Sequence, residues 1–345
     1  MVKIIDWPNE GDVTSNWGTD EVKVSVCCLS YNHEDYIEEC VFGMVSQNTQ
    51  FAFEIIIHDD ASTDGTRKIL EDLKNRYPKI IKLILQDENQ FRNEKIIAPR
   101  FLFPLVKSKY IAMCEGDDYW TDKFKLQSQF DCLEKNKHLG MVVHKAVVFD
   151  CNTQKNVKTR HFAALNNNAE TLPFKDFALS YLQFAPTSSY FFRTNLVHGL
   201  YNKIKGYYAG DLFIEIITGV NGFAFINKEM SVYRVFTKGS YSYNNQDKKN
   251  AIEGKMIVAS QLREFKNHFS DYSVSRVILN KAIKYEESAL YLKLKTDKDY
   301  DLSVMFKDVT LTGFLRSLKS IKLTWVLLLW LSSLCIKKLN FSKKQ

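Results

Sequence analysis

Short runs of apolar and β-branched residues alternate with segments of helical periodicity through the first 120 residues of the chain. Each apolar run has the length and composition of a buried strand. The predicted strands cover residues 22–29, 53–57, 80–85 and 110–114, and the predicted helices cover residues 35–47, 67–77 and 99–107. This strict alternation predicts an α/β fold with a mostly parallel sheet and helices on both of its faces.

The pattern becomes less regular after residue 120. A helix over residues 122–137 and a strand over residues 141–149 continue the α/β order, and another strand is predicted at residues 188–192. Two later apolar runs, at residues 222–226 and 230–235, are each short enough to form one strand of a hairpin-like return. The α/β architecture is therefore expected to end near residue 236.

The remainder of the chain predicts helices and a basic end. Residues 237–250 are rich in Lys, Gly, Ser, Tyr and Asn and predict a flexible loop, and the next seventy residues have the apolar stripes of three helices. The predicted organisation is an irregular lead-in at 1–21, an α/β domain at 22–236, a helical extension at 251–319 and a basic, apolar segment at 320–345.

Acidic residues follow two of the predicted strands at the points where those strands end. The run at 110–114 leads into a Glu-Gly pair and then Asp117 and Asp118, and the run at 53–57 leads into an acidic pair that includes Asp60. Ligands of an open α/β sheet bind just beyond the carboxyl ends of its strands. We therefore expect the functional site at these acidic turns.

The pair Asp117 and Asp118 has the chemistry of a cation site. Two neighbouring carboxylates repel each other when both are ionised, and a divalent cation relieves that repulsion. Hard oxygen ligands favour Mg²⁺ or Mn²⁺, whose coordination is completed by water and substrate phosphates. A solvated acidic turn without a ligand is the alternative. A further candidate, Asp211, is expected near a helix N-terminus, where the helix dipole favours an ionised carboxylate.

The amino-acid composition indicates a globular protein whose cysteine thiols are reduced. The 345 residues are 45% hydrophobic, which supports a substantial core. Seven Cys residues are odd in number and lack C-x-x-C spacing, as expected for a cytosolic protein. The net charge is +7, and residues 301–345 carry Arg316 and seven Lys residues against two Asp residues. Their aliphatic and Trp neighbours favour an anionic membrane surface over nucleic acid as a partner.

Residues 323–336 form an uncharged apolar segment with basic residues on both sides. Its length is below the about 20 residues that a helix needs to cross a bilayer. We expect it to lie on a membrane surface, and a helix docked into the core of the protein is the alternative. No signal-like apolar segment precedes the first strand. The expected location is therefore cytoplasmic, peripheral on the inner face of the cell membrane.

Four stretches of the chain together resemble one known family. They are V-S-V-C-C-L-S-Y-N-H-E-D-Y-I (24–37), F-E-I-I-I-H-D-D-A-S-T-D-G-T (53–66), Y-I-A-M-C-E-G-D-D-Y-W-T-D (110–122) and A-G-D-L-F (209–213). Each stretch is weak alone, but their order and spacing make the combination specific. The sequence resembles the inverting family 2 glycosyltransferases of the GT-A fold, of the type that builds bacterial surface polysaccharides.

This resemblance implies a nucleotide pocket at the ends of the first two strands. Its nucleotide-binding set includes Leu29, Tyr31 and Asn32, and the ring of Tyr31 offers a face on which a base can stack for about 1–3 kcal/mol. Asp60 matches the acid that accepts a hydrogen bond from the base in such proteins, and a turn or cap role is its alternative. Arg234 matches a diphosphate contact in a flexible segment.

The resemblance also implies transfer without a covalent enzyme intermediate. Asp117 resembles the carboxylate on the ribose and metal side, and Asp118 resembles the ligand of Mn²⁺ or Mg²⁺. Asp211 resembles the general base that takes the proton of the acceptor hydroxyl, and a helix cap is its alternative. The sequence departs from the family at Phe236, where a His is common, and this weakens the assignment of Arg234.

The predicted function is the transfer of a sugar from a nucleotide-sugar donor, expected to be a UDP-sugar, to a hydroxyl of a growing, lipid-linked bacterial surface glycan. One alternative is a catalytically silent nucleotide-sugar-binding or scaffold protein, which an assay of donor hydrolysis would distinguish. Another is a Mg²⁺-binding phosphoacceptor domain. The length of the chain and the second acidic pair disfavour that class.

Overall fold

The computed structural model describes residues 6–158, 170–180, 183–244 and 246–296 of the chain. The chain divides into two compact units, Met1–Tyr243 and Asn244–Gln345. Strands occur in the first unit. They are β1 (Val22–Ser30), β2 (Ala52–Asp59), β3 (Ile81–Leu85), β4 (Tyr110–Glu115), β5 (Tyr119–Trp120), β6 (Met141–Asp150), β7 (Lys155–Val157), β8 (Thr171–Leu172), β9 (Phe191–Arg193) and β10 (Phe223–Val235).

Helices of the first unit connect these strands and flank the sheet. They are α1 (Glu10–Thr14), α2 (Ile37–Val45), α3 (Thr66–Arg76), α4 (Lys125–Lys135), α5 (Leu200–Ile204), α6 (Gly210–Gly219) and α7 (Tyr241–Asn244), the last of which ends at the first residue of the second unit. Short 3₁₀ turns at Gln90–Arg92 and Thr187–Ser189 lie next to residues of the candidate site described below.

One sheet contains all of these strands, in the order β3-β2-β1-β4-β9-β6-β10-β5, with β7 beside β6 and β8 beside β10. The pairs β1–β2, β1–β4, β2–β3 and β6–β10 are parallel, whereas β9 is antiparallel to both of its neighbours. Parallel strands end at the same edge of a sheet. The segments that follow β1, β2, β4, β6 and β10 therefore meet along one edge.

The parallel half of the sheet is buried on both faces. All eight residues of β2 are buried, and the middle of β1 is also buried. A strand that is covered on both faces needs a continuous apolar run instead of an alternating one, which is the pattern seen in the sequence. Side chains that pack here include Val24, Val26, Ile55, Ile57 and Ala112.

Helix α2 packs unusually close to the short strand β5. A Cβ atom added at Gly43 would lie 2.6 Å from the backbone oxygen of Trp120 and 2.9 Å from its backbone nitrogen. Only glycine permits this approach, because two backbones cannot move apart as easily as a flexible side chain can. The contact fixes β5, which follows the acidic turn in the sequence.

Two predictions about local structure were wrong. Residues 222–226 and 230–235 are parts of one strand, β10, whose register shifts between Ile226 and Glu229 and again between Glu229 and Ser231. This irregularity places exposed polar residues in the middle of the strand, so the apolar pattern is interrupted although the strand continues. The helix predicted at 99–107 is instead a π turn at Ala98–Leu102 followed by a 3₁₀ turn at Phe103–Leu105.

The second unit contains α8 (Lys248–Phe265) and α9 (Tyr272–Thr296). The side chain of Asp247 caps α8 by accepting hydrogen bonds from two backbone N–H groups, at 2.7 and 3.2 Å. Arg263 forms a two-pronged ion pair with Glu286, at 2.8 and 2.9 Å, which joins the two helices. The third predicted helix and the apolar segment at 323–336 lie outside the described residues. Within the described residues, no helix is long and apolar enough to cross a membrane.

Candidate active site

The acidic turn after β4 is held against the end of β1. We call residues 115–118 the carboxylate turn. The backbone N–H of Gly116 donates to the backbone oxygen of Leu29 at 2.8 Å, and that of Asp118 donates to the backbone oxygen of Glu115 at 3.0 Å. A Cβ atom at Gly116 would lie 2.6 Å from Nδ1 of His33. The turn therefore lies directly beside the loop that follows β1.

Asp118 is fully buried with one oxygen unsatisfied. Its Oδ1 accepts a hydrogen bond from the backbone N–H of Arg234 at 2.8 Å, whereas its Oδ2 is buried and has no hydrogen-bond partner among the described residues. Burial raises the pKa of Asp118 well above its usual range, and the charges of Asp117 and Glu115 raise it further. An ionised Asp118 therefore needs a cation at Oδ2.

The side chain of Asp117 has a different environment from that of its neighbour. Its Oδ2 accepts a hydrogen bond from Oγ1 of Thr237 at 2.6 Å, and its backbone oxygen accepts one from Nη1 of Arg234 at 2.7 Å. These bonds tie the carboxylate turn to the end of β10 and the segment that follows it. Asp117 is thus partly engaged by the protein, while Asp118 retains a free oxygen.

Arg234 fastens the turn in place. Its guanidinium lies over the ring of Tyr119, 4.5 Å from the ring centre, and 5.1 Å from the ring centre of Tyr36. It also forms an ion pair with Glu39 and is only 9% exposed. In this arrangement the guanidinium holds the carboxylate turn. A contact with a diphosphate, which the sequence predicts for it, stays a prediction.

Asp211 lies in the first turn of α6, where the positive end of the helix dipole is. Its Oδ2 accepts a hydrogen bond from Nε2 of Gln183 at 2.9 Å. Burial raises the pKa of Asp211, and its backbone hydrogen bond opposes that increase. A carboxylate whose pKa is raised from an ordinary value holds a proton more strongly, as a general base must.

Glu115 interacts electrostatically with both Asp117 and Asp211. Burial raises the pKa of Glu115 well above its usual range, and the charges of Asp117 and Asp211 raise it further. The pKa of the Tyr233 phenol is raised by burial and by the charges of these three carboxyl groups and Asp118. All four acidic groups therefore lie close enough to Tyr233 to interact with it electrostatically.

Among the described residues, no group of three or more His, Cys, Asp or Glu side chains has the geometry to hold a metal ion alone. The unsatisfied, buried Oδ2 of Asp118 nevertheless fits a hard divalent cation. Such an ion would take its other ligands from water and from the phosphates of a bound nucleotide. The donor set therefore agrees with a cation that arrives together with its substrate.

The loops after β1 and β2 are joined by Asn32. This residue has a positive φ of 55°, which its short polar side chain tolerates. Its backbone N–H donates to Oγ of Ser62 at 2.9 Å, and its Oδ1 accepts from the backbone N–H of Thr63 at 2.8 Å. The partly buried side chains of Leu29 and Tyr31 lie on the same segment. Asn32 thus shapes the edge at which the nucleotide is predicted to bind.

Asp60 holds the neighbouring loop. Its Oδ1 accepts a hydrogen bond from the backbone N–H of Gln90 at 2.7 Å, and its Oδ2 accepts one from that of Phe91 at 3.0 Å. The carboxylate therefore binds the first two backbone N–H groups of the 3₁₀ turn at Gln90–Arg92, whose N-cap residue is Asn89. Each oxygen can still accept a second bond, so a contact with a base remains a prediction.

The structure brings the predicted residues from distant parts of the chain to one edge of the sheet. It also adds four residues that sequence reasoning did not select. They are Glu39, Gln183, Tyr233 and Thr237. The pair Tyr233-Arg234 and the polar segment after it could have drawn attention to two of them. Gln183 lies far from every motif, and no sequence signal marks it.

Comparison with known proteins defines the class. The sequence model of glycosyl transferase family 2 matches residues 25–198, which is half of the chain. This stretch contains β2, β4 and most of β1, whose ends carry the carboxylate turn and the predicted nucleotide residues, whereas Asp211 and Arg234 lie beyond it. The chain therefore belongs to glycosyl transferase family 2, and the resemblance described from the sequence is confirmed.

Individual relatives match a smaller part of the chain. An uncharacterized protein of Mycobacterium tuberculosis is 37% identical over 121 residues, which are 35% of this chain and 34% of the relative. The Escherichia coli enzyme UDP-Glc:alpha-D-GlcNAc-diphosphoundecaprenol beta-1,3-glucosyltransferase WfaP is 33% identical over 114 residues, 33% of this chain and 42% of the enzyme. The chain thus matches less than half the length of these relatives.

A solved structure agrees with the fold over almost the whole chain. The mannosyltransferase PcManGT from Pyrobaculum calidifontis, solved in complex with GDP-Man and Mn²⁺, superposes with a TM-score of 0.55 at 15% identity. The match covers 96% of this chain and 93% of that protein. At this identity the likeness concerns the fold alone. The predicted GT-A fold with a helical C-terminal region is confirmed.

Proposed function

We propose that this protein transfers a sugar from a UDP-sugar to a hydroxyl of a growing, lipid-linked bacterial surface glycan, with inversion at the anomeric carbon. The observation that carries the proposal is the common region shared by Asp118, with its unsatisfied oxygen, and Asp211, whose pKa is raised by burial. The first group suits the diphosphate side of a donor. The second suits the hydroxyl of an acceptor.

In this proposal, the loops that follow β1 and β2 bind the base of the nucleotide-sugar donor. The ring of Tyr31 provides a stacking face for the base, and Leu29 and Asn32 line the same segment. Asp60 holds the loop at residues 90–91 in place, and the remaining lone pairs of its carboxylate can accept a hydrogen bond from the base. The name of the E. coli relative specifies a UDP-sugar donor and supports UDP as the nucleotide. The diphosphate then lies toward the carboxylate turn.

Asp118, assisted by Asp117, would hold Mn²⁺ or Mg²⁺ together with this diphosphate. When bound, the ion neutralises the negative charge that builds up on the departing nucleoside diphosphate. Arg234 contributes by holding the carboxylate turn in place, because its guanidinium is hydrogen-bonded to the backbone of Asp117. The Mn²⁺ in the complex of the archaeal mannosyltransferase supports the use of a divalent cation.

Asp211 acts as the general base in this proposal. Its carboxylate takes the proton of the acceptor hydroxyl as the oxygen attacks the anomeric carbon from the face opposite the diphosphate. A single displacement of this kind inverts the configuration and requires no nucleophile from the protein.

The acceptor is proposed to be lipid-linked and reached at the inner face of the cell membrane. The name of the E. coli relative describes an acceptor carried on diphosphoundecaprenol, which supports this choice. The basic, apolar segment at 320–345 would provide peripheral attachment. The segment lies outside the described residues, and its role rests on its sequence.

The proposal can be tested with a panel of UDP-glucose, UDP-N-acetylglucosamine and GDP-mannose in the presence of Mn²⁺. We expect one UDP-sugar to raise the melting temperature and to be hydrolysed slowly to UDP, with water as the acceptor. Asp211→Asn should retain the thermal shift but lose about 100- to 10,000-fold in UDP release. The surface variant Asp72→Asn, in α3, should behave as wild type.

The outcomes separate the competing functions. Stabilisation by a nucleotide sugar with no release of UDP, even with membrane acceptors added, would identify a silent binding protein. Near wild-type turnover in Asp211→Asn would show that another group accepts the proton. A response to none of the three nucleotides would contradict the donor class.

A further inference from the structure

A chain of buried and partly buried hydrogen bonds leads to Asp211. Nε2 of Gln183 is 2.9 Å from Oδ2 of Asp211, 2.7 Å from the hydroxyl oxygen of Tyr190 and 3.0 Å from Oγ1 of Thr187. The hydroxyl of Tyr190 in turn donates to Oε1 of Glu215 at 2.8 Å. The chain thus runs from a buried carboxylate on α6 to the proposed base in the first turn of the same helix.

The far end of this chain is rigid. Glu215 is fully buried, and its carboxylate also accepts hydrogen bonds from the backbone N–H groups of Phe184 at 3.0 Å and Ala185 at 2.8 Å. These bonds fix the segment that carries Gln183 against α6. Tyr190 is also fully buried, so its hydroxyl group cannot turn toward water. The hydrogen bonds of Glu215 and Tyr190 therefore fix the position of the Gln183 side chain.

The direction of each proton in the chain follows from chemistry. Tyr190 gives its only hydroxyl proton to Glu215, so its oxygen can only accept a bond from Gln183. The carboxylate of Asp211 also only accepts. The amide group of Gln183 must therefore present its NH₂ side to both groups, because a flipped amide would place its oxygen against the carboxylate. Gln183 is locked as a donor to Oδ2 of Asp211.

We propose that Gln183 is the positioning residue of the general base, holding Oδ2 of Asp211 so that Oδ1 faces the acceptor hydroxyl. The inference rests on the proposed function, because it assumes that Asp211 accepts a proton. Donation from an amide stabilises the ionised carboxylate, which favours the form of Asp211 that can act as a base. The bond also removes rotational freedom that would otherwise spread the carboxylate over unproductive orientations.

Other ionisable groups also lie near Asp211. Glu115 in the carboxylate turn, Tyr190 before β9, Tyr233 on β10 and Glu215 on α6 face the region of Asp211. None of these ionisable groups is itself substituted in the Gln183 variants. A change in the pH dependence of the Gln183 variants can therefore be attributed to the lost amide.

The test substitutes Gln183 and follows UDP release from the hydrolysed UDP-sugar across pH 5 to 9. Gln183→Met keeps the length of the side chain but removes its donor. We expect kcat to fall about 10- to 100-fold, with little change in KM for the donor. We also expect the acid limb of the pH profile to move by about one unit to higher pH, since the ionised carboxylate has lost a hydrogen bond.

A matched control separates positioning from packing. Thr187→Val removes another partner of the same Gln183 nitrogen but leaves its bond to Asp211. This variant should keep the acid limb of wild type. If Gln183→Met does not fold, Gln183→Glu retains the shape of the side chain and replaces the donor with a carboxylate. It should move the acid limb in the same direction.

The roles of Gln183 and Asp211 are distinguished by different results. If Gln183→Met and Thr187→Val have the same pH profile as wild type while Asp211→Asn is inactive, Gln183 only packs beside the base and the inference is overturned. If Asp211→Asn is active, the assignment of the base is wrong and the proposed mechanism fails before Gln183 is considered.

Discussion

Asp117 and Asp118 are adjacent in the sequence, but their surroundings differ and we propose different roles for them. The carboxylate of Asp117 accepts a hydrogen bond from Thr237, whereas Asp118 is 0% exposed and keeps one oxygen without a partner. A buried carboxylate without a partner is costly, and a protein retains one where a ligand completes it. In the proposed function, a cation bound together with the substrate offsets this cost.

Asp118→Asn should remove the dependence of UDP binding on Mn²⁺. The amide keeps the shape of the side chain but lacks the charge that attracts the cation, so UDP should bind at least about tenfold more weakly in Mn²⁺, a loss of about 1.4 kcal/mol. Isothermal titration calorimetry with UDP, with and without Mn²⁺, measures this difference.

Thr237→Val is the matched variant for the neighbouring acid. It removes the hydroxyl that donates to Asp117, and we expect a loss of about 1 kcal/mol in the free energy of unfolding. Its binding of UDP should still respond to Mn²⁺. A strong Mn²⁺ response in Asp118→Asn, or its absence in Thr237→Val, would contradict the division of tasks between the two acids.

At the scale of elements, the site depends on how α2 and α4 hold β5. Trp120 touches Gly43 of α2 through its backbone and donates from Nε1 to the backbone oxygen of Ser188 at 3.0 Å. On its other side, Nζ of the buried Lys125 lies 3.9 Å from its ring centre. Strand β5 has only two residues, and these contacts support it in addition to its pairing with β10.

Gly43→Ala should destabilise the protein by about 1–3 kcal/mol, because the new methyl group would meet the backbone of Trp120 at 2.6 Å. Urea unfolding measures this loss. Gly11→Ala is the comparison, since Gly11 lies in the exposed helix α1 with open space around it. We expect that substitution to leave stability unchanged or to increase it by up to about 1 kcal/mol. Equal effects of the two substitutions would show that the close contact is unimportant.

Lys125 should make stability depend on pH in an unusual direction. Burial lowers its pKa to about 7, whereas an unfolded chain keeps this proton up to pH 10.5. Between these values the unfolded state holds more protons, so the unfolding free energy contributed by this group rises with pH, by up to about 1.4 kcal/mol per unit. Its hydrogen bond to Gln129, at 2.6 Å, is kept in both forms of the amine.

The prediction is tested by urea unfolding of wild type and Lys125→Met at several pH values from 6.5 to 10. Other titrating groups cancel in the difference between the two proteins. The stability of wild type relative to the variant should increase as the pH rises through this window. A difference that stays constant with pH would show that Lys125 titrates normally.

On the scale of the whole molecule, the proposed acceptor requires the protein to reach a membrane. Residues 323–336 and their basic neighbours supply the chemistry for this: apolar burial contributes about 25 cal/mol per Å², and each Lys or Arg adds about 1 kcal/mol on an anionic surface. This segment is separate in sequence from the candidate site. Attachment and donor chemistry should therefore be separable by truncation.

Deletion of residues 316–345 should move the protein from anionic liposomes into the soluble fraction. Hydrolysis of the UDP-sugar in solution should persist, whereas transfer to membrane acceptors should weaken. Raising the salt concentration should weaken attachment of the full chain only in part, because salt does not screen the apolar contribution. Co-sedimentation with liposomes measures attachment. A truncated protein that still sediments, or that unfolds, would contradict a membrane-surface role.

Sequence patterns alone predict the α/β alternation, the family and the acids at the ends of strands. Buried parallel strands require continuous apolar runs, and the site acids are adjacent to those runs, so both signals are local. The apolar runs at 22–29, 53–57 and 110–114 correspond to β1, β2 and β4 within one or two residues. Local pattern failed at β10, where a register irregularity interrupts an otherwise continuous strand.

The contacts of each site residue depend on the folded chain and could not be predicted from the sequence. Arg234 is 116 residues from the Asp118 carboxylate that its backbone contacts, and Gln183 is 28 residues from Asp211. Such contacts depend on the order of the strands and on which loops meet at the edge of the sheet. The spacing of residues along the sequence does not predict them. Asp60 shows the same principle, since its two bonds to the loop at 90–91 exist only because that loop folds back over the end of β2.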